Sequence, residues 1–227
     1  MPESPRSPIS RKALTTTEVG RAIYLDYEGN TGMAPVLLGW RFDGVNSQSI
    51  VDPTFSTCAG RYKAKAVDER DHQQLVRDLI DRARREDRRI VSWSRHDLNQ
   101  MLAVLDPEEA TTLHSVYRNA LDTARPWHRK TRGTVSPDGA RLSYFSELLG
   151  FPVPDRFGLG IVGDGLRLIR SQIEQQREYA QLSPKARGAW VAIVRHNRLD
   201  LEAMEHVLRT ITDSDSHTSV VSKTRAA

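Results

Sequence analysis

The sequence has only one cysteine, Cys58, among its 227 residues. No disulfide can form within this chain, and a zinc site built from several thiolates is excluded. Because disulfides are a feature of oxidising compartments, we expect a cytoplasmic location. We expect Cys58 itself to be a small packing residue.

Long apolar runs and a strong charge imbalance are also missing. The N-terminal stretch MPESPRSPISRKALTTTEVG has no apolar core of signal-peptide length, and no segment approaches the roughly 18 apolar residues of a membrane span. We therefore expect a soluble protein. The 33 Lys and Arg residues exceed the 29 Asp and Glu residues by a net charge of +4, which permits a polyanionic partner but does not require one.

The length fits one globular domain with a sizeable core. Residues 1–19 are rich in Pro, Ser and Thr, and residues 213–227 are polar. Both compositions predict disordered tails, so the domain is expected to cover residues 20–212.

The first part of this domain is predicted to contain strands and then a helix. Short β-rich segments joined by turns predict an antiparallel meander of three strands, RAIYLDYEG, PVLLGWRFDG and SQSIVDPTF. The helical spacing of apolar residues after Asp71 predicts a helix, and RIVSWS predicts a strand beside the first one.

Helices dominate the second part. We expect helices in HDLNQMLAVL, PEEATTLHSVYRN, LSYFSELLG, GDGLRLIRSQIEQQREYAQL and KARGAWVAIVRHNRLDLEAMEHVLRTI, with a strand end at ALDT and a loop at 125–139. The last helix could be two helices joined near Gly188. This order predicts an α/β protein whose mixed five-stranded sheet has three antiparallel strands plus parallel strands and is flanked by helices.

Two acids stand one residue apart in YLDYEG. Alternate residues of a strand share a face, so Asp26 and Glu28 lie roughly 6 to 7 Å apart along the chain. Like charges this close repel each other. They indicate either a solvated strand end or a divalent-metal site that needs further oxygen ligands from elsewhere.

Two further acids could supply those ligands. Asp97 follows the strand RIVSWS in the first turn of a helix, where it is either a helix cap or a site residue. In RHNRLDLEAM, His196 and Asp200 are four residues apart on one helix face, and Asn197 lies on much the same side. Open α/β sheets commonly hold their sites at one edge, where these acids could converge.

The segments YLDYEG, VSWSRHDLNQM and RHNRLDLEAM resemble the three exonuclease motifs of the DnaQ-like, or DEDD, 3′-to-5′ exonucleases. The resemblance covers residues 21–211 and extends to LSYFSELLGFPVP and ALDTAR. It implies a ribonuclease H-like fold and hydrolysis of phosphodiester bonds at single-stranded nucleic acid ends. It also implies two divalent cations, Mg²⁺ or Mn²⁺, held by Asp26, Glu28, Asp97 and Asp200.

His196 departs from the family pattern. One branch has a tyrosine four residues before the final aspartate, and the other has a histidine five residues before it. Here a histidine stands at the four-residue spacing. The context HNRLD resembles the tyrosine branch, with histidine in the tyrosine position. His196 therefore either orients or deprotonates the attacking water, or it marks a weakened or inactive nucleic-acid-binding module. An endonuclease of the same fold is a third reading, although two acids on one strand favour the exonuclease branch.

The stretch RPWHRKTRG is basic. It predicts either a merely solvated loop or phosphate contacts from Arg125, Arg129, Lys130 and Arg132, with Asn197 as a further nucleic-acid contact. Among the tryptophans that could stack on bases, Trp93 and Trp190 are expected in the core instead. The sequence contains no polymerase or helicase domain, so a protein partner would have to supply such activities.

Overall fold

A computed structural model of the chain describes residues 12–30, 32–60, 67–134, 140–151, 161–175 and 177–224, with side chains up to residue 214 except at residue 161. Its strands are β1 (Ile23–Glu28), β2 (Leu37–Phe42), β3 (Val45–Ile50), β4 (Asp68–Glu69), β5 (Ile90–Ser92) and β6 (Tyr117–Asn119). Its α-helices are α1 (Thr16–Gly20), α2 (His72–Arg85), α3 (Arg95–Leu102), α4 (Pro107–Val116), α5 (Leu121–Arg132), α6 (Leu142–Leu148), α7 (Ile161–Ile173) and α8 (Pro184–Thr224).

The strands form a mixed sheet in the order β4-β3-β2-β1-β5-β6. β1, β2 and β3 pair antiparallel. β5 runs parallel to β1, and β6 runs parallel to β5. The α/β class and the mixed sheet are thus confirmed. The expected count of five strands is wrong, because β4 adds a sixth strand parallel to β3 that is only two residues long, too short to give a sequence pattern.

The segment ALDT does not end a strand. β6 is the last strand in the described part of the chain, which turns directly into α5, where Asn119 Oδ1 accepts a 2.8 Å hydrogen bond from the main-chain N–H of Leu121. Much of the loop expected at 125–139 is therefore helical, even though Pro126 lies inside α5. Residues 135–139 of that expected loop lie outside the described residues.

α8 is one continuous helix from Pro184, so the expected break near Gly188 is wrong. A Cβ at Gly188 would meet nothing within 4 Å, and the glycine causes no interruption. The helical backbone continues to Thr224, past the expected boundary at residue 212. Residues 225–227 of the expected tail lie outside the described residues.

The N-terminal boundary also differs from the expectation. Leu14 and Val19 are buried, and α1 falls within the stretch whose composition predicted a tail. Thr15 caps α1 together with Glu18. Residues 1–11 of the expected tail lie outside the described residues.

The alternation of side chains along β1 separates the two layers of the core. Ile23, Leu25 and Tyr27 pack in one cluster with residues of α2, α3 and α4. Tyr24 faces the other side, where it packs with residues of α8. Asp26 and Glu28 share the face of Tyr24, so β1 directs both acids to the side of the sheet covered by α8.

Three expected core residues are confirmed. Trp93 and Trp190 are buried, and Cys58 is a buried free thiol whose pKa burial raises to about 12. None of the helices in the described part of the chain is both long enough and apolar enough to cross a membrane.

Candidate metal and nucleic-acid site

β1 brings Asp26 and Glu28 together at the sheet surface. Glu28 is buried and Asp26 is half-buried. Their carboxyl groups are close enough for a hydrogen bond between them when one is protonated. The pair is therefore not a solvated strand end.

α8 carries the second part of the site. Its residue His196 has Nε2 3.6 Å from Oδ2 of Asp200, and both side chains are about three-quarters buried or more. This distance is longer than a hydrogen bond. The other ring nitrogen of His196, Nδ1, is buried and has no hydrogen-bond partner among the described residues.

Asp97 enters from α3 and is 4% exposed. The Ser94 hydroxyl donates to Asp97 Oδ2 at 3.1 Å. Ser94 is the N-cap of α3, because its side-chain oxygen accepts from the main-chain N–H of His96, and Asp97 lies in the first turn that follows. The reading of Asp97 as the helix cap is therefore wrong, and its reading as a site residue stays a prediction.

The four carboxyl groups form one electrostatic group. Burial raises the pKa of Asp26, and the charges of Glu28, Asp200 and Asp97 raise it further. The pKa of Glu28 is raised by burial and then by Asp200 and Asp97. Burial also raises the pKa values of Asp97 and Asp200. Residues from β1, α3 and α8 thus act on one another at close range.

Four neighbours lower these pKa values and so act against burial and repulsion. Asn197 and Ser94 do so as neutral hydrogen-bond donors, and His96 and His196 do so through their charge. Such a group of buried acids is costly unless a cation or protons compensate it. His96 is exposed at the surface beside Asp97.

The donor set fits a hard divalent cation. Carboxylate oxygens are the ligands that Mg²⁺ and Mn²⁺ prefer, and Glu28 Oε1 is buried without a hydrogen-bond partner in the described chain. Within the described residues, no three His, Cys, Asp or Glu side chains are already arranged to hold a metal ion. The case for a metal site therefore rests on the convergence of the acids and not on a preformed ligand cage.

Asn197 lies inside the protein and not at its surface. Its side chain is 0% exposed, and Nδ2 donates to the main-chain oxygen and to Oδ2 of Asp26, both at 3.0 Å. Gln48 Nε2 donates to Asn197 Oδ1 at 2.9 Å. A contact between Asn197 and nucleic acid would require this side chain to leave its partners, so its observed role is to hold Asp26.

Sequence reasoning missed Gln48 and Gly39 as neighbours of the site. Gly39 pairs with Asp26 across the β1–β2 ladder. An isolated glycine inside a strand often marks the close approach of another group. The glycine in LLGWRF was therefore the signal that could have located this contact.

The basic residues of RPWHRKTRG lie on α5. Arg125, Arg129, Lys130 and Arg132 are all exposed. His128 of the same helix is buried, with Nε2 2.8 Å from the Tyr144 hydroxyl oxygen. α5 therefore presents a positively charged outer surface while its inner side belongs to the core.

Comparison of the chain with models of known protein families, with curated proteins and with solved structures finds no match. The likeness to the DnaQ-like exonucleases therefore depends on the motif residues and on where the structure places them.

Proposed function

We propose that this chain is a metal-dependent 3′-to-5′ exonuclease that hydrolyses single-stranded DNA or RNA ends. The observation that carries the proposal is the convergence of Asp26, Glu28, Asp97 and Asp200, whose charges act on one another from three separate elements. The proposed fold is ribonuclease H-like. The antiparallel strands β1 to β3, continued by the parallel strands β5 and β6, support that assignment.

In this proposal the four acids hold two divalent cations, Mg²⁺ or Mn²⁺. Bound cations of this kind stabilise the attacking and leaving oxygens of a phosphodiester hydrolysis. Asn197 keeps the Asp26 carboxyl in place through its bond to Oδ2. Nε2 of His196, which lies beside the Asp200 carboxyl without a hydrogen bond to it, accepts a proton from the attacking water.

The surface of α5 would bind the phosphate backbone of the substrate through Arg125, Arg129, Lys130 and Arg132. Trp40 and Trp127 are partly exposed and could stack on bases. We also propose a cytoplasmic location, which suits the single buried thiol of Cys58. Any polymerase or helicase activity would come from a protein partner.

The test is digestion of matched DNA and RNA oligonucleotides, each labelled at either end, with Mg²⁺, Mn²⁺ or EDTA. We expect metal-dependent shortening from the 3′ end by the wild-type chain and none by Asp26→Ala. Asp81→Ala removes an exposed acid of α2 and should leave the digestion unchanged. Equal behaviour of wild type and Asp26→Ala would refute the proposal.

A second candidate is a nucleic-acid-binding module of the same fold with weak or no turnover. It is favoured by the histidine at the position of the family's tyrosine and by the lack of a preformed three-ligand group in the described residues. Oligonucleotide binding without metal-dependent cleavage would establish this reading.

A further inference from the structure

Three residues lie in one row across the sheet beneath α8. Asp26 on β1 pairs with Gly39 on β2, and Gly39 pairs with Gln48 on β3. Asn197 of α8 lies over this row and contacts its two ends, Asp26 and Gln48. We call Gln48 and Asn197 the amide pair.

The direction of the amide pair is fixed by a main-chain carbonyl. The oxygen of Val194 can only accept, so Gln48 presents its Nε2, which donates to Val194 at 2.8 Å. The same nitrogen donates to Asn197 Oδ1. Asn197 therefore presents its Nδ2 to Asp26, whose main-chain oxygen is also an acceptor only.

Asn197 can occupy this place only because residue 39 has no side chain. A Cβ built on Gly39 would lie 1.8 Å from Oδ1 and 2.7 Å from Cγ of Asn197. Real Cβ atoms essentially never make contacts under 3.0 Å, so an alanine would displace the Asn197 side chain.

We propose that Asn197, oriented by Gln48 and accommodated by Gly39, is a positioning residue that sets the Asp26 carboxylate for divalent-cation binding. One nitrogen of Asn197 holds both the main chain and the side chain of Asp26, which fixes the carboxylate relative to β1. Oδ2 of Asp26 accepts the bond from Asn197, whereas Oδ1 of Asp26 does not. The inference rests on the proposed function, because it treats Asp26 as a metal ligand.

The experiment measures Mn²⁺ binding to the full chain by calorimetry, together with the Mn²⁺ activation constant and the oligonucleotide KM. Loss of a partner that orients a metal ligand typically weakens metal affinity about 10- to 100-fold. We expect a weakening in that range for Asn197→Ala and for Gly39→Ala, with the oligonucleotide KM unchanged. Gln48→Ala should weaken binding in the same direction.

Two further variants separate positioning from general stability. Asn46 is a buried residue of β3 whose Nδ2 donates to Glu202 of α8 at 2.7 Å. Asn46→Ala thus loses a comparable link between sheet and helix, but should keep wild-type Mn²⁺ affinity. The double variant Gly39→Ala/Asn197→Ala removes the steric conflict and should bind Mn²⁺ no more weakly than Asn197→Ala alone.

The outcomes distinguish this inference from the proposed function. If wild-type protein binds no Mn²⁺, the proposed function fails and the inference fails with it. If wild type binds Mn²⁺, Asp26→Asn does not, and Asn197→Ala binds like wild type, only the inference is overturned. If Asn197→Ala does not fold, Gln48→Ala decides: weakened Mn²⁺ binding supports the inference, and wild-type affinity overturns it.

Discussion

His196 Nε2 lies 3.6 Å from Asp200 Oδ2, one turn away on α8. The two side chains are neighbours without a hydrogen bond, and Nδ1 of His196 has no hydrogen-bond partner among the described residues. Because Nδ1 is buried, Nε2 is the nitrogen that can engage a water molecule beside the carboxyl group.

This arrangement predicts the effect of removing the ring. If His196 is the base, His196→Ala should lower the exonuclease rate by roughly 10² or more, with Mn²⁺ binding retained. His206→Ala is the control on the same helix, since His206 bonds to the main-chain oxygen of Leu149. A small effect of His196→Ala would exclude the base role. If His196→Tyr cleaves the oligonucleotide faster than the wild type does, the histidine weakens the enzyme.

The crowded acids predict an unusual dependence of stability on pH. The folded-state pKa values of the four carboxyls are raised, so the folded chain keeps protons that the unfolded chain has lost. Stability from these groups is fully present below the ordinary carboxyl pKa and is lost as pH rises through the raised values. Without metal, Asp26→Asn should be more stable than wild type near neutral pH.

We expect the Tm of Asp26→Asn to be higher by about 2 to 4 °C, which corresponds to about 1 kcal/mol in a domain of this size. The difference should shrink as the pH falls toward the ordinary carboxyl pKa, because the raised pKa values make the folded wild-type chain take up protons there. Thermal melts in EDTA across this pH range give the measurement, with Asp81→Asn as the exposed control. A Tm of Asp26→Asn below that of the wild type at neutral pH would contradict the inferred repulsion among the ionised acids.

The outer surface of α5 predicts salt-sensitive binding of nucleic acid. For single strands, the slope of log K against log salt changes by about 0.7 per phosphate contact. Arg125→Gln/Arg129→Gln/Arg132→Gln should therefore reduce the slope by about 2, as measured by fluorescence anisotropy of a labelled oligonucleotide in EDTA.

The matched control for α5 changes the same number of charges elsewhere, in Arg84→Gln/Arg85→Gln/Lys185→Gln, whose side chains are also exposed. An equal loss of affinity in both triple variants would mean that α5 is not the specific binding surface.

Gly188 predicts a stabilising substitution. It lies within α8, and a Cβ there would meet nothing within 4 Å. Alanine at an exposed helical position is favoured over glycine by about 0.5 to 1 kcal/mol, so Gly188→Ala should raise Tm in thermal melts. Gly165→Ala is the contrast: its Cβ would lie 3.1 Å from Ile193 Cδ1, and it should not show this gain.

Local patterns were sufficient for the meander and for α2. The strands β1, β2 and β3 follow one another in the chain and pair antiparallel, although β3 ends at Ile50 and the end of the predicted third strand, from Pro53, begins a 3₁₀ helix. α2 buries Leu75, Leu79, Ile80 and Ala83 at helical spacing. β6 was misplaced because it is only three residues, YRN, two of them polar, and follows α4 directly. α5 was taken for a loop because Pro126 and the basic residues obscure its periodicity.

The acids themselves could be found from the sequence, but their supporting contacts could not. Asp26 and Asp200 belong to short motifs, which a reader can recognise along the chain. The contact of Asn197 with Gln48 depends on how β2 and β3 pair and on how α8 crosses them. Such register is a tertiary property, and the only trace it left in the sequence was Gly39.

The continuity of α8 also constrains the length of the chain near the acids. Val194 packs in the cluster with Trp190, whereas Leu201, seven residues later, packs in the cluster with Tyr24. Each added residue turns a helix by about 100°. One insertion between Val194 and Leu201 would therefore rotate the apolar side chains of one half of α8 by that angle relative to those of the other half. The segment 195–200, which carries His196, Asn197 and Asp200, therefore cannot gain or lose a single residue without disrupting either a core cluster or the site.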